Sequence, residues 1–133
     1  MKKGEKIFRI VSAIDLHVID SIRKKREDLG ISQAALSIDM EFSEKFIGSI
    51  ENPSVSTKYS LRHLNLVSKA LKCKVSDFFP PTGYLEEDLL RITVEKKKII
   101  DEKGKERIIP VITKRENLTK EEIQEYNKSK TRQ

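Results

Sequence analysis

Two histidines, His17 and His63, and one cysteine, Cys73, are the residues that could supply imidazole or thiol chemistry in this 133-residue chain. Neither histidine has a carboxylate or nucleophile partner evident in sequence, a single cysteine excludes an internal disulfide, and no His/Cys spacing suits zinc. Both histidines are expected to be structural or exposed and Cys73 a small apolar residue; no enzymatic activity, metal or other cofactor is expected. Two further residues pose physical questions. Arg26 falls on an apolar stripe between Ile22 and Leu29, where a charge needs a partner. Gly48 sits inside "SEKFIGSIENP", a short amphipathic helix, where glycine costs about 0.5–1 kcal/mol against alanine.

The elements that must position these residues follow from periodicity and capping. "SAIDLHVIDSIRKKREDLG" reads as a first helix, opening on Ser12 with Asp15 three positions on and stopping at Gly30; Leu16, Ile19, Ile22 and Leu29 share its apolar side. Ser32 is expected to cap a second short helix that buries Leu36 and Met40, and Ser43 a third, "EKFIGSIEN", with Phe42 stapled against Phe46 or Ile47. After the loop "NPSVSTKY", a fourth helix places Leu61, Leu64, Val67 and Leu71 on one face. "KVSDFFPP" adds a last helical turn before Pro80 and Pro81 end the domain.

Beyond Pro81, two β-branched runs flank "DEKGK", where Gly104 permits a positive-φ turn, so a β-hairpin is expected. A hairpin alone is marginal. A second copy of the chain, the N-terminal "KIFRIV" as a third strand, or another protein could cover it. Thr119 and Glu122 then cap a short terminal helix. The division is a helical domain over 12–80 and an extension over 81–133.

With 27 Lys+Arg against 21 Asp+Glu the net charge is +6, which favours a polyanionic partner. The N-terminus has no uninterrupted apolar run, so neither a signal peptide nor a membrane span is expected, and the cytoplasm is the default location.

Two short helices joined by a tight turn, with a supporting helix on either side, describe a helix-turn-helix. In "GISQAALS", "FSEKFIGSIEN" and "LNLVSKALKCKVSDFF", residues 22–80 resemble the Cro and phage-repressor (XRE) family. The resemblance implies a mainly α fold: a five-helix lambda-repressor-like helix-turn-helix domain, here with a C-terminal β-hairpin and a short terminal helix. Gln33 matches the family's glutamine opening the first motif helix, and Arg26 and Glu51 match its structural salt bridge. The implied DNA-binding residues are Ser32, Gln33, Ser43, Glu44, Lys45, Gly48, Ser49, Asn52 and Lys58. Gly48 would then allow close approach to the major groove, or else relieve crowding against a neighbouring helix. Glu41 stands where the family has glycine in the turn. The implied function is a sequence-specific transcriptional regulator binding double-stranded DNA as a homodimer; the alternative is an antitoxin-like adaptor whose hairpin binds another protein.

Overall fold

The computed structural model describes residues 4–101 and 103–131. In chain order the elements are β1 (Lys6–Ser12), α1 (Ala13–Asp28), α2 (Gln33–Asp39), α3 (Phe46–Glu51), α4 (Leu61–Leu71), a 3-10 turn at Val75–Phe78, β2 (Leu89–Ile100), β3 (Glu106–Asn117) and α5 (Lys120–Thr131). They form two compact units: Ile14–Leu85, which is helical, and Met1–Ala13 with Glu86–Gln133, which holds the sheet.

In the helical unit, Ile22, Leu36, Ile47, Ile50, Leu64, Val67 and Phe78 form one core with Val18, Met40 and Leu71. Ser32 opens α2 by accepting the Ala35 N–H at 3.0 Å, and Ser60 opens α4 by accepting from His63 N at 3.1 Å. The expected apolar faces need trimming. Leu29 and Leu61 are exposed, Leu61 at 81%, because each lies at a helix end beyond the reach of the core. The third helix also starts late: α3 opens after Lys45 with no side-chain cap, residues 44 and 45 forming a turn that leaves Ser43 outside it.

In the other unit the sheet order is β1-β2-β3, antiparallel throughout. β1 runs alongside β2 from Lys6 opposite Glu95 to Ser12 opposite Leu89, so Ser12 ends a strand rather than lying outside one, and α1 begins with Ala13 N donating to Asp88 O at 2.9 Å. Ile92 and Val94 are fully buried on the central strand. Gly104, at φ +76°, closes the β2–β3 turn, where Asp101 Oδ1 accepts from the backbone of Lys103 and Lys105 at 2.9 Å each. Pro110 is tolerated because β3 is an edge strand. Thr119 and Glu122 cap α5 reciprocally, and Glu122 also pairs with Arg91.

The expected mainly α, five-helix lambda-repressor-like fold is therefore corrected to a mixed one. The alternation in "KIFRIVS" makes β1, and it converts the expected hairpin into a three-stranded sheet built from both ends of the chain. In sequence, the helical unit separates the two segments of the sheet unit.

Candidate functional site

The α2–α3 region is held from beneath by a charged pair. Arg26 projects from α1 and meets Glu51 at the end of α3 in a bidentate contact, Nε to Oε2 at 3.0 Å and Nη2 to Oε1 at 2.7 Å, while Nη1 donates to Ile31 O at 2.9 Å. Their side chains are 10% and 3% exposed. Burial by itself would lower the Arg26 pKa, but the hydrogen bond and charge of Glu51 outweigh it and the net shift is upward. Arg26 is thus held as a cation.

Glu51 Oε1 also accepts from Gln33 Nε2 at 2.9 Å, so the first residue of α2 is tied to the last of α3. This contact accounts for Gly48. A Cβ at Gly48 would lie 3.0 Å from Gln33 Oε1, so the missing side chain makes room for the glutamine to lie across α3. The contact is with the far end of a flexible side chain, so a methyl group there would displace Gln33 by a few tenths of an ångström. Ser37 adds a second tie: its hydroxyl donates to Gln33 O at 2.8 Å and accepts from Ile47 N at 3.0 Å, fully buried.

The turn between the helices has Glu41 at φ +64°. A non-glycine residue in the left-handed region costs about 1–2 kcal/mol, and Glu41 pays it because its N–H is engaged, donating to Ile38 O at 2.8 Å. Phe42 follows and stacks on Phe46 at a centroid distance of 4.5 Å. His63 packs edge-on against both rings, at 5.4 and 4.8 Å, and the Arg62 guanidinium lies 5.5 Å from the Phe42 centroid. His63 Nδ1 accepts the Ser60 N–H at 2.9 Å, and burial followed by the Arg62 charge lowers its pKa. Sequence reasoning did not assign Arg62 or the aromatic trio to the site; Phe42 and Phe46 were visible only as a staple.

The structure separates the expected binding residues into two groups. Ser32 is a helix cap, Gln33 is bound to Glu51, and Gly48 lies under Gln33. Asn52 is past the end of α3 and its carboxamide oxygen accepts from Ser54 N at 3.0 Å and Ser54 Oγ at 2.6 Å, so it serves the loop and not the helix face. Lys58 reaches Asp15 at 3.4 Å at a cleft of about 230 Å³. Tyr59 also lines that cleft; its hydroxyl is buried without a hydrogen-bond partner among the described residues, and burial, with the charge of Glu51 added, pushes its pKa up. Ser43, Glu44, Lys45 and Ser49 remain exposed, and among the described residues no side-chain hydrogen bond or ion pair engages the first three.

Charge is distributed against expectation. Residues 14–85 carry ten Lys and Arg against nine Asp and Glu, a net of +1, and the rest of the chain carries 17 against 12, a net of +5. The helical unit, where phosphate contacts were expected, is nearly neutral.

No family model matches the chain, and no curated protein matches it. Similar solved structures are those of hydroxypropylphosphonic acid epoxidase from S. wedmorenis, at a TM-score of 0.46 and 11% identity over 80% of this chain and 88% of that one. The Fe(II) form of HppE follows at 0.45 and 10%, covering 78% and 89%, and the Co(II) form with substrate at 0.45 and 12%, covering 76% and 86%. These structures are of an epoxidase, and none of them is a Cro or phage repressor. Membership of the XRE family, the roles of DNA-binding regulator and hairpin adaptor, the DNA, homodimer and protein partners, and the expectation of no enzymatic activity find no support in these comparisons and are corrected to no assigned family, role or partner. At these scores the likeness carries no activity to this chain. Among the described residues no group of three or more His, Cys, Asp and Glu could hold a metal ion, and no helix is long and apolar enough to cross a membrane.

Proposed function

We propose that the helical unit is a recognition module. In this reading its exposed row Ser43, Glu44, Lys45 and Ser49 takes a polar ligand that carries both an anionic group and hydrogen-bond donors. The observation that supports it is the contrast between that row and what lies below it. Arg26, Glu51, Gln33 and Ser37 fix α2 and α3 through bonded, largely buried contacts, while Ser43, Glu44 and Lys45 face solvent, uncommitted among the described residues. A rigid support under free polar groups lowers the entropy that binding must overcome.

Lys45 supplies the cation and Glu44 the acceptor for ligand donors. Ser49 already donates to Phe46 O at 2.7 Å, which leaves its hydroxyl oxygen as an acceptor. Ser32, Gln33, Gly48, Asn52 and Lys58 act as the support and margin of the surface rather than as its contacts.

Phosphoethanolamine carries the required anion and ammonium in one small molecule. Titrated into isotopically labelled full-length protein, it is expected to shift the amide resonances of residues 43–49, and Lys45→Ala with Glu44→Ala to abolish those shifts without altering the rest of the spectrum. Shifts scattered over the surface, or none at all, would overturn the reading.

A further inference from the structure

Arg62 has a ring to rest on and no acceptor for its donors. Its guanidinium carbon lies 5.5 Å from the Phe42 centroid, and among the described residues no hydrogen bond or ion pair engages its N–H groups. The side chain is exposed. An arginine held against an aromatic ring presents its planar fork in a restricted orientation, the arrangement that takes two oxygens of an oxyanion at once.

The ring beneath is itself fixed. Phe42 stacks on Phe46 at 4.5 Å with 21° between the planes, and both pack against the buried core of the helical unit. His63, the residue after Arg62, packs edge-on against both rings at 5.4 and 4.8 Å and is anchored by the Ser60 N–H at its Nδ1. The guanidinium is thereby tied to the 42–46 segment rather than only to its own helix.

The same rings bracket the exposed row. Phe42 precedes Ser43 and Phe46 follows Lys45, so the stacked pair draws together the two ends of the turn that carries Ser43, Glu44 and Lys45. Lys45 borders one ring and Arg62 lies over the other, while Glu41 and Glu44 flank Phe42 and Lys45 with carboxylates. Two cations and two acids at one edge suit a ligand that carries both signs of charge.

We propose that Arg62, seated on Phe42, takes two oxygens of a phosphomonoester through its guanidinium fork, the third oxygen meeting Lys45 and the ligand's ammonium meeting Glu44. This rests on the reading of the α2–α3 face as a recognition surface and names its ligand class, a phosphate monoester of a small amine. A phosphomonoester has three free oxygens, one more than the fork uses, whereas a carboxylate has only the two that the fork occupies.

The experiment follows the Arg62 side-chain Nε–H resonance together with amides 43–49 while phosphoethanolamine is titrated into labelled full-length protein. Both are expected to shift with one Kd. Arg62→Ala is expected to raise that Kd about tenfold or more with the rest of the spectrum unchanged, and Arg62→Lys, which keeps the charge and loses the fork, to recover only part of the affinity. β-Alanine, with a carboxylate in place of the phosphate, is expected to bind several-fold more weakly. A fixed Arg62 resonance beside shifting amides 43–49, with Arg62→Ala binding as tightly as the parent, would overturn this inference and leave the recognition surface standing; shifts at neither place would overturn both. Arg62→Lys equal to the parent would overturn the fork, and β-alanine equal to phosphoethanolamine would overturn the phosphate.

Discussion

The two units of this chain solve the problem of a small core in different ways. In residues 14–85, long-range polar ties supplement apolar packing: Arg26 to Glu51, Gln33 to Glu51, Ser37 to Ile47. Charge there is nearly balanced, and the most deeply placed charges are paired. The sheet unit has a small buried centre at Ile92 and Val94, a net charge of +5, and exposed Phe8, Ile100 and Ile108. Those three hydrophobic residues lie where packing within the unit does not use them. The comparison teaches that one unit spends its polar side chains on internal order, while the other leaves charge and apolar surface together at the outside.

Removing Arg26 is the most forceful way to break that contrast. Arg26→Ala leaves the nearly buried Glu51 carboxylate without its cation, which costs about 3–5 kcal/mol. Urea denaturation should show the loss, and hydrogen exchange should place it in residues 14–85. A loss below about 1 kcal/mol would mean that the pair is solvated and that the helical unit is not organised around it.

A smaller effect sharpens the account of Gly48. Gly48→Ala gains about 0.5–1 kcal/mol of helix propensity but pushes Gln33 from Glu51, a bond worth about 0.5–1.5 kcal/mol or more with its charged partner. The net change should be near zero. In a Gln33→Ala background the opposing term is absent and Gly48→Ala should be stabilising, so a double-mutant cycle must show coupling. Equal effects in both backgrounds would remove Gln33 as the reason for the glycine.

The smallest effect belongs to His63. Burial and then Arg62 lower its pKa in the fold, so the unfolded chain binds the proton more readily. The stabilisation is complete above the unfolded value of about 6.5 and is lost as pH falls through the lowered folded value. Protonation also removes the Nδ1 acceptor for Ser60 N–H at the positive end of α4. Urea midpoints should decline across that window in the parent and decline less in His63→Gln.

Much of the helical unit was legible because its signals are local. The charge at Arg26 on an apolar stripe announced a partner, and Ser32 precedes the helix that it caps. The outward face was harder to read. Asn52 lies one residue beyond α3, and helical periodicity cannot reveal that its carboxamide turns to Ser54. Gly48 was recognisable as costly, but the cause is a glutamine fifteen positions earlier whose side-chain direction no spacing encodes. β1 stood in the expected fold only as one of three ways to cover the hairpin. Its alternation is visible in "KIFRIVS", yet pairing with a strand some 80 residues away is a tertiary fact. The total of +6 likewise hid its own uneven division, since a sum has no location.

The placement of β1 also has a consequence in time. During synthesis, residues 6–12 emerge long before their partners at 89–95, and every residue of the helical unit is made in between. The first strand therefore waits on the ribosome with its backbone donors and acceptors unsatisfied by a ladder, while the helices, whose contacts are nearer in sequence, are free to form. Sheet closure is the last act, and a folded insert shortens the flexible loop that closure must bridge. A chain ending before residue 89 would hold every residue of the helical unit and a first strand without its partner.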